Sequence, residues 1–131
     1  MKKIVVGYDG SNTGKAALAL AKDQSKAFGG KVFVIESQMG GTDTDVEDIK
    51  HGEENLEFAE SYLKEQDVPC ETHLLVRGVD PGEDIVQFAK DNDADLIIVG
   101  VRRRSKVGKL MFGSTAQFVI LEAHCPVMTV K

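Results

Sequence analysis

The sequence predicts an α/β domain: one open sheet of five parallel strands with helices on both faces. Three observations carry that expectation. Short apolar runs alternate with segments of helical period along the chain. The runs show little apolar–polar alternation, which signals burial on both faces and hence a parallel sheet covered by helices. No linker or shift of composition divides the 131 residues, so residues 1–131 are expected to form one domain, long enough to bury a core.

The elements follow in order. Ile4, Val5, Val6 and Gly7 read as a short buried strand. Residues 9–13, Asp-Gly-Ser-Asn-Thr, form a turn with several possible N-caps. Ala17, Leu20, Ala21, Gln24 and Phe28 recur at helical spacing, and Gly29-Gly30 stops that helix. Residues 31–36 are the second strand, followed by a polar, Gly-rich stretch from Gln38 to Asp45. Ile49, Leu56, Ala59 and Leu63 mark a second amphipathic helix reaching about Gln66, and residues 71–76 a third strand. Asp80 and Pro81 open a third helix with Ile85, Phe88 and Ala89 inward; proline suits the first turn because its missing N–H would be unpaired there anyway. Residues 95–100 are the fourth strand. A cationic loop leads into a fourth amphipathic helix, from Ser114 to about Ala123, and residues 126–130 form the last strand.

Composition narrows the function. The balance of apolar and charged residues is that of a soluble protein, and a net charge of -5 argues against a general nucleic-acid binder. Yet Arg102, Arg103, Arg104, Lys106 and Lys109 place five positive charges in eight residues. No run approaches the roughly 18 apolar residues of a membrane span, and Met1-Lys2-Lys3 leads straight into a strand without a signal peptide. Two cysteines, Cys70 and Cys125, read as small apolar filler in a reduced cytoplasm, where the protein is expected to reside. His51, His73 and His124 lie far apart and lack metal-ligand spacing, and His124 falls at a helix C-terminus, where a cation suits the dipole.

The cationic loop carries the chemistry. It runs from Gly100 after an apolar strand to Gly113, Ser114 and Thr115 at the start of a helix. Free backbone N–H groups, the helix dipole and two hydroxyls there make a phosphate trap. An open parallel sheet binds ligands beyond the carboxyl ends of its strands, where the winding reverses. If strands one and four are neighbours, Asp9 forms one wall of that crevice and the Gly113–Thr115 helix start the other. Asp9 would repel phosphate, so it is expected to face the uncharged end of the ligand or a divalent cation. The competing roles are structural: an N-cap or Asx-turn for Asp9, helix capping for Ser114 and Thr115, a solvated or partner-gripping loop for the arginines. No nucleophile–base pair and no close carboxylate dyad stands out, so at most slow hydrolysis is expected.

At this point the residues resemble the universal stress protein family, along the whole chain. The resemblance lies in residues 4–11 (Ile-Val-Val-Gly-Tyr-Asp-Gly-Ser), in Arg77, Gly78, Asp80, Pro81 and Ile85, and in residues 94–100 and 125–130. The family's signature is Gly, two residues, Gly, nine residues, Gly, then Ser or Thr. Gly100, Gly113 and Ser114 fit it in register, while Arg103 stands where the second glycine belongs. Arginine is disfavoured at positive φ and bars close backbone approach, or else it offers a bidentate guanidinium to the phosphates; Gly108 supplies flexibility further on.

The resemblance implies a sheet of order 3-2-1-4-5. It implies adenine held near Asp9 and the end of strand two, where Ser37 replaces the usual apolar residue, and phosphates on residues 100–115, including Arg102 and Arg103. The implied ligand is ATP, AMP or ADP as a regulatory ligand in stress response, with Mg²⁺ near Asp9 or Ser114. It further implies homodimers, here through the apolar edge strand Val127–Val130. The alternative is a nucleotide-independent dimeric module that grips an acidic partner with its arginine-rich loop. Nucleic-acid binding is disfavoured: the patch is small, and Phe112 is its only aromatic neighbour.

Overall fold

The computed structural model describes residues 2–41, 45–101 and 113–131. Nine elements alternate: β1 (Lys3–Gly7), α1 (Asn12–Phe28), β2 (Lys31–Gln38), α2 (Val46–Glu65), β3 (Cys70–Val76), α3 (Pro81–Asp91), β4 (Leu96–Gly100), α4 (Ser114–Glu122) and β5 (Val127–Val130). The five strands form one sheet in the order β3-β2-β1-β4-β5, with every pairing parallel.

Two cores sit on the two faces. Ile4, Val6, Val32, Val34 and Ile98 point to one side, where Ala17, Leu18 and Ala21 of α1 and Leu56, Ala59 and Leu63 of α2 cover them. Val5, Phe33, Ile35, Ile97 and Val99 point to the other, under Ile85, Phe88 and Ala89 of α3 and Ala116 and Val119 of α4. The period-two pleat sends alternate residues of the same apolar runs to opposite cores, which is why those runs lack polar alternation.

The termini of α1 and α2 follow from local chemistry. Ser11 caps α1 by accepting the Gly14 N–H at 3.1 Å, and Gly29 ends it at φ 74°. Asp45 and Asp48 form a reciprocal capping box at the start of α2.

The structure corrects three details. β2 runs two residues further than residues 31–36, because β3 continues beside it and pairs Ser37 with Leu75 and Gln38 with Val76. Phe28 does not complete the buried stripe of α1: it is 64% exposed, with the Lys2 ammonium 4.9 Å from its ring centre. At about 1.5 Å per residue, α1 outruns the five-residue strand beneath it, so its last turn has no sheet to face. α4 is not cleanly amphipathic, since it buries Ala116 and Val119 but leaves Ile120 and Leu121 outside.

Candidate functional site

β1 and β4 are neighbours, with Gly7 in register with Val99, so the winding reverses between them. β1 leads to β2 on one side and β4 to β5 on the other, and the connections diverge above the strands' carboxyl ends. A cavity of about 520 Å³ lies there, within the roughly 300–1,000 Å³ usual for small-molecule sites. Its floor is the end of β1, β2 and β4, with Ile35, Ile85 and Val99 giving it apolar surface. Of the residues expected to form a site, Asp9, Ser37, Gly100, Gly113, Ser114 and Thr115 all line this one cavity. Arg102 and Arg103 lie outside the described residues, as do Gly108 and the rest of residues 102–112.

Asp9 is exposed at the cavity rim and accepts the Ser11 N–H at 3.0 Å through Oδ1. The Asx-turn is therefore real, while the N-cap itself is Ser11. Beside Asp9, Tyr8 is buried and faces the cavity. Burial, reinforced by the Asp9 and Glu36 carboxylates, raises its phenol above the usual range.

Gly100 has a packing reason to be glycine. A Cβ there would fall 2.7 Å from Thr13 Oγ1 and 2.8 Å from the Thr13 carbonyl carbon. The missing side chain lets the first turn of α1 settle onto the end of β4, which brings Ser11 and Thr13 to the cavity wall.

On the β2 side Ser37 meets a buried acid, Asp84, that the sequence did not single out, and Glu36 is a second such group. Ser37 Oγ donates to Asp84 Oδ2 at 2.7 Å. Asp84, only 1% exposed, also accepts from Arg77, whose Nε lies 2.8 Å from Oδ1 and whose terminal nitrogen pairs with the same oxygen. Asp84 lies on the same helical stripe as Ile85 and Phe88. A carboxylate on an apolar stripe, seven residues after an arginine, was the available signal. On the opposite face, buried Glu36 accepts from Asn55 Nδ2 at 2.9 Å and from Gln38 Nε2 at 3.2 Å. Asn55 also reaches the Asp9 carbonyl at 3.4 Å, tying α2 to the Asp9 loop.

At the far wall α4 begins with Gly113 as its N-cap, and no side chain caps the helix among the described residues. The capping role weighed for Ser114 and Thr115 is therefore not the observed one: they are the first helical residues, too late to cap. A Cβ on Gly113 would meet no described atom within 4 Å. The first-turn N–H groups and the positive end of the dipole thus lie at the cavity. Among the described residues no group of three or more His, Cys, Asp or Glu forms a metal cage. A divalent cation here would need ligands from a phosphate, as Mg²⁺ commonly takes.

The fold and this cavity define an open parallel α/β domain with a polarised cleft at its switch point, acceptors at one end and a helix N-terminus at the other. The model of the universal stress protein family matches residues 1–131. A universal stress protein of Archaeoglobus fulgidus has a solved structure that superposes with a TM-score of 0.93 at 42% identity, covering 100% of this chain and 99% of that one. A further solved structure from that organism, in complex with dAMP, gives a TM-score of 0.87 at 38% identity over 100% and 98% of the two chains. A universal stress protein of Thermus aquaticus is 38% identical over 136 residues, 99% of this chain and 98% of its own. The chain belongs to the universal stress protein family.

Proposed function

We propose that this chain binds an adenine nucleotide in the switch-point cavity, with the base towards Asp9 and Ser37 and the phosphates on Gly113, Ser114 and Thr115. The carrying observation is the polarity of one cavity: carboxylates and a hydroxyl at the β1–β2 end, and at the α4 end a helix N-terminus that no described side chain caps. The apolar surface of Ile35, Ile85 and Val99 between them suits a flat base. The Archaeoglobus fulgidus complex with dAMP supports the same reading.

ATP, AMP and ADP share the adenosine and the first phosphate that this arrangement addresses. With ATP, Ser114, or Asp9 across the cavity, would hold a Mg²⁺ that offsets phosphate charge, and Arg102 and Arg103, which lie between Gly100 and Gly113 in the sequence, would add positive charge. The nucleotide acts as a regulatory ligand in stress response, and the protein works as a homodimer joined through β5. Calorimetry of dialysed protein with AMP and with MgATP tests the reading. Binding is expected in the micromolar range or tighter, lost in Gly113→Val because the added side chain obstructs backbone approach to phosphate. Lys31→Ala is expected to bind normally, since Lys31 lies at the opposite end of β2 against Glu71. Absence of heat and of any thermal shift with either nucleotide would defeat the proposal.

A further inference from the structure

We propose that Ser37 selects a 6-amino purine over a 6-oxo purine, acting as a hydrogen-bond acceptor whose own hydrogen is held by Asp84 and Arg77. This rests on the adenine reading above and adds to it the group that discriminates the base.

The pleat places Ser37 on the face of β2 that carries Phe33 and Ile35, the face covered by α3. It lies in the cavity wall next to Ile35 and near Ile85. The direction of each hydrogen bond behind it is fixed by chemistry. A guanidinium only donates, and Arg77 Nε donates to Asp84 Oδ1. A carboxylate only accepts, so the 2.7 Å contact between Ser37 Oγ and Asp84 Oδ2 uses the single hydroxyl hydrogen. What Ser37 retains for a ligand is lone pairs. Glu36 and Asp9 add carboxylate acceptors to the same lining, beside the Tyr8 phenol, which can donate or accept. A base group set directly against Ser37 Oγ must donate. The amino group of adenine does; the 6-oxo group of hypoxanthine would set oxygen against oxygen with no hydrogen between.

Asp84 and Arg77 are positioning residues, and their role makes a prediction that mere structural support does not. In Asp84→Asn, Arg77 retains the amide oxygen and the amide NH₂ turns to Ser37. The hydroxyl hydrogen is then released towards the cavity, and Ser37 becomes a donor.

The experiment is calorimetric titration of the full chain with AMP and with IMP, for the native protein, Ser37→Ala and Asp84→Asn. The native protein is expected to prefer AMP by about ten-fold or more, the worth of one hydrogen bond and one avoided repulsion. Ser37→Ala should lower the IMP-to-AMP ratio of Kd about five- to ten-fold. Asp84→Asn should lower it further, through tighter IMP binding. A native ratio retained in Ser37→Ala, or one retained in folded Asp84→Asn, overturns the inference while leaving adenine binding intact. If circular dichroism shows Asp84→Asn unfolded, Ser37→Ala decides alone. Failure of the native protein to bind either nucleotide defeats the adenine reading and this inference with it.

Discussion

Gly100 and Gly113 both stand at the rim of the cleft, and a pattern of glycines treats them alike. Their surroundings do not. At Gly100 the backbone of α1 fills the space a side chain would need; at Gly113 no described atom does. Gly100→Ala should therefore destabilise the fold by about 1–3 kcal/mol through overpacking, read from the urea midpoint. Gly113→Ala should cost at most about 1 kcal/mol, the loss of a tolerated N-cap residue. Equal costs at the two positions would contradict this division. The thiols test burial at the same scale. Burial is the first cause that raises both Cys70 and Cys125 above the usual range, and they pack, half-buried, against the cores of opposite faces. Alkylation of the native protein at neutral pH should be clearly slower than in urea. Asp9 was legible in the sequence because a turn after the first strand had to face the switch point. Ser37 was legible only by its position at a strand end, since its partner Asp84 lies 47 residues away and no local pattern joins them.

At the scale of elements, one buried carboxylate ties α3 to the strand ends, beside the apolar packing of Ile85, Phe88 and Ala89. Arg77 leaves β3, Asp84 sits in the first turn of α3, and Ser37 belongs to β2, so the network joins three elements at the cavity wall. Arg77→Ala leaves Asp84 buried with only the hydroxyl. The expected cost is about 2 kcal/mol or more, below the roughly 3–5 for a fully buried pair because the arginine side chain is 46% exposed. Chemical unfolding checks it, and a change under about 0.5 kcal/mol, the range of ordinary surface substitutions, would contradict it. Element types were read from hydrophobic period, and that held for the buried stripes of α2 and α3 and for most of α1. It failed at Phe28, where period is right but the sheet has ended. It also failed in α4, where Ile120 and Leu121 are apolar yet outward. Period reports which residues share a face, not what that face meets.

The order of strands is a whole-molecule property, and neighbouring residues alone did not determine it. The buried runs required a parallel sheet, while the order 3-2-1-4-5 came from the family resemblance and agrees with the structure. That order makes β5 an edge strand. Pro126 and Val130 direct their carbonyls to β4, so Val127 and Thr129 turn their backbone groups to the open edge. Outward Ile120 and Leu121 on α4, which packs against β5, add apolar surface nearby. If β5 joins two copies, Thr129→Pro removes an outward donor without touching the ladder to β4. Sedimentation should show the native dimer shifted to monomer with the fold retained; an unaltered dimer would place the interface elsewhere.

One cavity is expected to take adenine at the β1–β2 end and phosphate at the α4 end. Titrating ¹⁵N-labelled protein with AMP and following its backbone amides tests it most directly. The largest shifts are expected at Ser114, Thr115 and Ala116, with a second group at Asp9 and Ser37, saturating together. Saturable shifts centred away from this cavity, or none at millimolar AMP, would contradict it.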